Sequence, residues 1–359
     1  MTLDDKVGQL LVVGVPATGS RQSACTVTRY RLGDVFLRGR STLTPGQLHG
    51  RLEALQSAAT AKGMLSLNVA VDQAGGKVRN LRGAGFAQLP SAVEQAAWDG
   101  QTLARNTATV AAELHTAGMS VTLGPVADVV PASLGAKNPP IGALGRQYGA
   151  TPDGAASNVR VVVDATQQQA ILTALKHFPG LGRVTTNTDY SDKAVDDVMI
   201  MTNSYLKPFQ SGIDAGTGFV MVSSARYPQI GPDNVAAFSL RIISNLLRES
   251  MHFDGVIMTD DVGAAAEMSA VPVRDRAVRF VRAGGDLVLT VRLSDAGPMT
   301  SALKAEARRD PEFAALVDTA GPARRRQQGE GGPGEVRRLS TTGGPGAGRA
   351  GSGPPAGAS

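Results

Sequence analysis

A chain of 359 residues is longer than one small domain needs, yet within reach of a single large α/β barrel. Hydrophobic residues make up 42% of it, enough for a sizeable core, while aromatics supply only 4%, so that core must pack mainly through aliphatic side chains. The formal net charge is +5, but segment 321–359 holds six arginines against two glutamates, which leaves the rest near neutral and excludes a basic, nucleic-acid-binding body.

A single cysteine, Cys25, excludes an intrachain disulfide and a zinc site of the CxxC type. The four histidines (His49, His115, His177, His252) show no HxxxH or HExxH spacing, so no metal and no cofactor are expected. The opening "MTLDDKVGQLLVVGV" lacks the basic region, longer apolar stretch and cleavage site of a secretory signal. No run approaches the ~18 apolar residues of a membrane span. The expected location is cytoplasmic as the chain is written, and exported or lipid-anchored if an upstream signal has been lost.

In chain order, short apolar runs alternate with helix-like stretches. "LLVVGV" (10–15) and "DVFLRG" (34–39) read as strands, a helix fits 45–62, and "LSLNVAVD" (65–72) reads as the third strand. One long helix is expected next, with a capping box at Ser91 and Glu94 and a glycine stop at Gly118. "VTLGPVAD" (121–128), a helix over 152–168, "AILTALKHF" (170–178), a helix over 202–214 and "GFVMVSS" (218–224) follow. In 239–253, Leu240, Ile243, Leu246 and Leu247 fall on one helical face. "DGVIMTDD" (254–261), a helix over 272–283, "GDLVLTV" (285–291) and a helix over 296–308 complete the series. Eight near-continuous apolar runs are what parallel strands buried on both faces look like, so the pattern predicts a TIM-type (β/α)8 barrel as a single domain over 1–320. Residues 321–359, rich in Gly, Pro and Arg, read as a disordered tail.

In such barrels the chemistry sits at the C-terminal ends of the strands. Asp72, Asp128, Lys176 with His177, Ser223 with Ser224, and Asp260 with Asp261 end consecutive predicted strands, so their side chains should converge. Asp128 alone reads more readily as a capping or solvated carboxylate, and Asp261 as a helix cap. Several carboxylates with a lysine and a histidine, and no metal signature, suit a polyhydroxylated neutral substrate such as a sugar. An ordinary aspartate, with a pKa of about 3.9, is an ionised nucleophile at neutral pH without special help.

At these residues the sequence resembles family 3 glycoside hydrolases, in their single-domain β-N-acetylhexosaminidase branch. The resemblance runs through "KVGQLLVVGVPA", "GDVFLRGRS", "VAVDQAGGKVRNL", "AAELHTAGMSVTLGPVADV", "IGALGRQYG", "KHFPGLG" and "FDGVIMTDDVG", and covers roughly residues 1–318. It implies a TIM-type barrel, a retaining exo-glycosidase, a nucleophilic aspartate at Asp260, and Asp72, Arg146, Lys176 and His177 holding the sugar hydroxyls. It also suggests a carbohydrate partner, cell-wall fragments among them, and a monomer. The chain departs from the family at Ala74 and Leu181, where the pattern has an acid and a histidine, and at Ser224, where it has a histidine. The branch's Asp-Ser-His dyad reads Asn187-Thr188-Asp189, which makes Asp189 the expected proton donor and acceptor, on a mobile loop packed only through Val184 and Tyr190. A β-glucosidase of the same family and a catalytically weak sugar-binding protein are the alternatives.

Overall fold

Each of the eight apolar runs forms a strand in the computed structural model, which describes residues 1–328, with side chains described through residue 320. The strands are β1 Leu11–Pro16, β2 Asp34–Arg38, β3 Asn68–Val71, β4 Val121–Thr122, β5 Leu172–Phe178, β6 Phe219–Val222, β7 Val256–Thr259 and β8 Val288–Thr290. They pair in parallel and in sequence order, β1 also pairing with β8. A bridge between Met258 and Leu287 closes the sheet on itself, giving the (β/α)8 barrel that the alternating pattern predicts.

The strands separate two cores by the two-residue period of side-chain direction. Val12, Phe36, Ala70, Val121, Ala174, Phe219, Met221 and Met258 point inward and fill the barrel. Their neighbours Val13, Val35, Leu37, Val69, Val71, Leu175 and Val220 point outward and pack beneath the helices. The helices are Pro45–Thr60, Gly100–Thr116, Pro152–Gln167, Lys207–Asp214, Arg241–Ser250, Val273–Arg282 and Ala296–Arg309. Leu3–Gly8, Arg21–Tyr30 and Pro311–Gln328 add three that the sequence pattern did not announce.

Three expectations need correction. The long helix expected from Ser91 to Gly118 is two: Ala92–Gln95 keeps the Ser91–Glu94 capping box, and Gly100–Thr116 starts afresh. Asp99 causes the restart, because its carboxylate accepts the Thr102 N–H at 2.9 Å and caps a new helix axis. Leu240 lies outside the buried face and is 55% exposed, while Ile242 takes its place beside Ile243, Leu246 and Leu247. The tail expected from residue 321 begins inside a helix, Pro311–Gln328, and its remainder, 329–359, lies outside the described residues.

The barrel interior sets a stability test. Phe219 is 1% exposed and bounded by other inward-facing side chains. Phe219→Ala should lower the unfolding free energy by about 3–5 kcal/mol, read as a shifted denaturant midpoint at constant slope. A loss below ~1 kcal/mol would mean that the barrel centre repacks freely.

Candidate active site

The ends of β4 and β5 meet around one carboxylate. Beyond β4 the chain continues alongside β5, with Val126 bridged to Lys176 and the Ala127 N–H donating to the Lys176 carbonyl at 2.7 Å. This carries Asp128, which is 0% exposed, under the turn that follows β5. Its carboxylate accepts His177 Nδ1–H at 2.7 Å, the His177 backbone N–H at 3.2 Å and the Leu181 N–H at 2.7 Å. Gly182 permits this approach, since a Cβ there would stand 1.9 Å from the Val129 carbonyl oxygen. Asp128 is therefore neither solvated nor a simple cap. It orients His177, and the sequence pattern, which favoured the blander roles, missed that function. Its place at the end of a predicted strand was the available signal.

With Nδ1–H given to Asp128, His177 presents Nε2 to the barrel mouth. Arg146 Nη2 lies 3.5 Å from it, and because a guanidinium only donates, the contact suits a lone pair on Nε2. Asp260 Oδ2 lies 4.0 Å from the same nitrogen. Arg146 comes from the loop between β4 and the helix Pro152–Gln167, where Nη1 donates to the Pro140 carbonyl at 3.0 Å and Nε is buried without a partner among the described residues. Across the mouth, Lys176 Nζ donates to Asp72 Oδ1 at 2.5 Å. Burial would raise the Asp72 carboxyl, but the Lys176 charge and hydrogen bond, with Arg146 and His177 behind them, outweigh it and hold it below the usual carboxylate range.

The two adjacent aspartates after β7 have different surroundings. Asp261 accepts the Gly263, Ala264 and Val291 N–H groups at 2.9, 3.0 and 3.0 Å, so both its oxygens are committed to the backbone. Among the described residues Asp260 accepts only the Asp261 N–H, at 2.8 Å on Oδ1, and turns Oδ2 toward His177. Asp260 is thus the carboxylate with an oxygen available to a ligand.

Asp189 lies on the loop after β5, exposed at the rim. It is nonetheless crowded by protein on the barrel side, and this partial desolvation pushes its carboxyl above the usual value. The charge of Asp260 adds to the rise, and His177 and Arg146 oppose it. Tyr190 contributes nothing here: it is 85% exposed and is not the packing anchor expected of it. The loop is held instead by buried Thr188, Ala194 and Met199, and by the Ala266 and Glu267 N–H groups, each donating at 3.3 Å to the Asp189 and Thr188 carbonyls. Asn187 Oδ1 accepts the Asp189 N–H at 2.9 Å and serves the turn. Ser224, 1% exposed at the end of β6, has a hydroxyl without a partner among the described residues.

All six sequence-nominated residues, Asp72, Arg146, Lys176, His177, Asp189 and Asp260, therefore meet at one mouth. A separate cavity of about 40 Å³ behind β3 and β4, lined by Ala74, Gln95, Thr107, Thr122, Tyr148 and Thr166, touches none of them. No group of three or more His, Cys, Asp or Glu side chains among the described residues is arranged to hold a metal ion, and no helix among them is long and apolar enough to cross a membrane.

Residues 2–306 match the Glycosyl hydrolase family 3 N terminal domain. A β-N-acetylhexosaminidase from Beutenbergia cavernae is 42% identical and superposes with a TM-score of 0.88, over 90% of this chain and 97% of that one. A β-hexosaminidase of Xanthomonas oryzae pv. oryzae is 33% identical over 295 residues, covering 78% of this chain and 83% of the relative. A family 3 β-N-acetylglucosaminidase from a Paenibacillus species, 24% identical, shares the fold with a TM-score of 0.82 over 95% of this chain and 65% of that one.

The buried carboxylate makes a direct prediction. Asp128→Ala strands the Nδ1–H and two backbone N–H groups without acceptors, so it should cost roughly 3–5 kcal/mol in chemical denaturation. In the protein that remains folded, imidazole nitrogen shifts should show that His177 no longer keeps its proton on Nδ1. Unchanged shifts would mean that Asp128 does not set the tautomer.

Proposed function

The chain belongs to glycosyl hydrolase family 3, and from that premise we propose that it is a retaining, exo-acting β-N-acetylhexosaminidase working through a covalent glycosyl–Asp260 intermediate. One observation carries the reading: Asp260 offers an uncommitted oxygen beside a clamp of Asp72, Lys176, His177 and Arg146. The names of the relatives in the Beutenbergia and Xanthomonas comparisons support the substrate class.

In the first half-reaction Asp260 Oδ2 attacks the anomeric carbon, the bond to the aglycone oxygen breaks, and Asp189 gives that oxygen its proton. In the second, water attacks the same carbon, its proton returns to Asp189, and the bond to Asp260 breaks. Asp72 and Lys176 form a charge-assisted pair that takes sugar hydroxyls from both sides, as acceptor and donor. His177 and Arg146 lie next to Asp260, where hydroxyls nearest the reacting carbon would come to rest. Hydrogen bonds that tighten as positive charge grows on the ring stabilise the transition state more than the bound sugar.

The elevated carboxyl of Asp189 gives the pH dependence its sign. A donor works only when protonated, and a raised pKa keeps the proton on Asp189 to higher pH than an ordinary aspartate would. Hydrolysis with a poor leaving group should therefore fall as pH rises through that pKa. The fall should largely vanish with an activated aryl leaving group, which departs without a proton. Asp72, held low, stays ionised throughout this range.

Two variants test the roles. Asp260→Ala should reduce aryl N-acetyl-β-glucosaminide hydrolysis by roughly 1000-fold or more with the fold intact, and a sugar trapped on any other residue would defeat the assignment. Asp189→Asn should slow a poor leaving group far more than an aryl one, with azide restoring the deglycosylation step. Equal losses on both substrates would reduce Asp189 to a loop residue and favour a sugar-binding role on a hydrolase scaffold.

A further inference from the structure

Arg276, on the helix Val273–Arg282, is 6% exposed and reaches the turn that follows Asp260. Its Nε donates to the Val271 carbonyl at 2.8 Å. Its Nη1 donates to two further carbonyls, that of Val262 and, at 3.1 Å, that of Gly263. A guanidinium carries five N–H donors in a rigid plane and keeps its charge when buried, so it can hold several carbonyls at once. Burial draws the Arg276 guanidinium below its usual range. The negative charges of Asp295 and Asp261 resist that fall, and Arg292 adds to it.

The two carbonyls on Nη1 belong to the same peptide units as two N–H groups that bind Asp261. The Val262 carbonyl shares its unit with the Gly263 N–H, which donates to Asp261 Oδ1 at 2.9 Å. The Gly263 carbonyl shares its unit with the Ala264 N–H, which donates to Asp261 Oδ2 at 3.0 Å. A cation on a carbonyl polarises the peptide and makes its N–H a stronger donor, so hydrogen bonds in such a series reinforce one another. From the other side β8 and the residue after it hold the turn: the Val262 N–H donates to the Leu289 carbonyl and the Val291 N–H to Asp261 Oδ1, both at 3.0 Å. Asp261, fixed in this way, gives its own N–H to Asp260 Oδ1 at 2.8 Å. A continuous series of bonds therefore runs from the guanidinium, through two peptides and one carboxylate, to the nucleophile's residue.

We propose that Arg276 is a positioning residue for the reaction: it fixes the Asp261 turn so that Asp260 Oδ1 stays occupied and Oδ2 faces the anomeric carbon. The proposal rests on the reading of Asp260 as the nucleophile. The hydrogen bonds of Arg276 go to Val262, Gly263 and Val271, and none goes to the clamp of Asp72, Lys176, His177 and Arg146. Its loss should therefore spare the binding of the sugar and slow the attack on it. Displacing a reacting group by roughly 1 Å costs on the order of 100-fold in rate.

Arg276→Met tests this, with Arg248→Met as a structural control. Arg248 also donates to two carbonyls, those of Phe253 and Gly255 at 2.6 and 2.7 Å, but before β7 rather than after it. In single turnovers of an aryl N-acetyl-β-glucosaminide, Arg276→Met should lower the maximum rate by about 100-fold and leave the half-saturating concentration within about 3-fold. Arg276→Lys, which keeps the charge and a donor, should recover at least about 10-fold of that loss. Arg248→Met should lose stability to denaturant yet keep its rate within about 3-fold. In the full-length Arg276→Met protein the Gly263 and Ala264 amide proton resonances should move upfield as their bonds to Asp261 weaken, and in Arg248→Met they should stay in place. A folded Arg276→Met protein with a rate within about 3-fold of native, equal rate losses in the two methionine variants, or unmoved Gly263 and Ala264 amides would overturn the role. If Arg276→Met does not fold, Arg276→Lys decides: a rate about 3- to 10-fold below native, with both amides shifted, supports the role, and a native rate or native amides overturn it. Failure of the native enzyme on the aryl glycoside would instead overturn the hydrolase reading. The two amides would then still read the turn, their shift supporting control by Arg276 and their constancy overturning it.

Discussion

The geometry of the mouth depends on the Asp128 carboxylate. A carboxylate with no exposure is costly unless its lone pairs are filled, and this one is filled by the His177 side chain and by two backbone N–H groups. Those donors all belong to the segment that leaves β5. One buried group therefore decides how the β5 end turns, which way the imidazole faces and where Lys176 emerges one residue earlier. Removing it would loosen structure and chemistry together, which is why a carboxylate buried beneath the mouth can still govern the site.

Two aspartates of the mouth are shifted in opposite directions. Asp72 is flanked by Lys176 and, further off, by Arg146 and His177, so its ionised form is favoured despite burial. The Asp189 carboxyl is raised first by crowding against the protein and then by the negative charge of Asp260, which His177 and Arg146 only partly oppose, so its protonated form gains. Environment rather than residue type separates the two carboxyls, and the proposed roles of hydroxyl acceptor and proton donor rest on that difference. A histidine would bring its own affinity for a proton to the donor position. An aspartate must acquire one from its surroundings, so in this chain the setting of the loop matters more than the identity of the side chain it carries.

Much of this was legible in the sequence because barrels impose a simple rule. Strands buried on both faces leave continuous apolar runs, and the first polar residue after each run falls at the mouth; Asp72, Lys176, His177 and Asp260 are found that way. What the pattern could not give was long-range pairing. Nothing local to Asp128 indicates that it turns under the β5 end, because its partners lie about fifty residues away. Asp99 looked like part of a helix because propensity tolerates it there, and only its capping bond divides the segment. Tyr190 looked like an anchor because it is the large side chain of its loop, yet it faces solvent while Thr188 and Ala194 hold the loop down.

That anchoring bears on how the proposed donor and nucleophile are coordinated. The loop carrying Asp189 rests on residues 266–267, which belong to the connection leaving β7, the strand that ends at Asp260. Glu267 strengthens the link: its buried carboxylate accepts the Ala194 N–H at 3.3 Å and pairs with Arg226 at 3.0 Å. Burial pushes the Glu267 carboxyl up, against the pull of those two partners. The backbone bonds at 3.3 Å are long. A tether of this kind couples the backbone at Thr188 and Asp189 to the connection that leaves β7. Support for the loop after β5 therefore comes from the connection that follows β7, the strand that ends at Asp260.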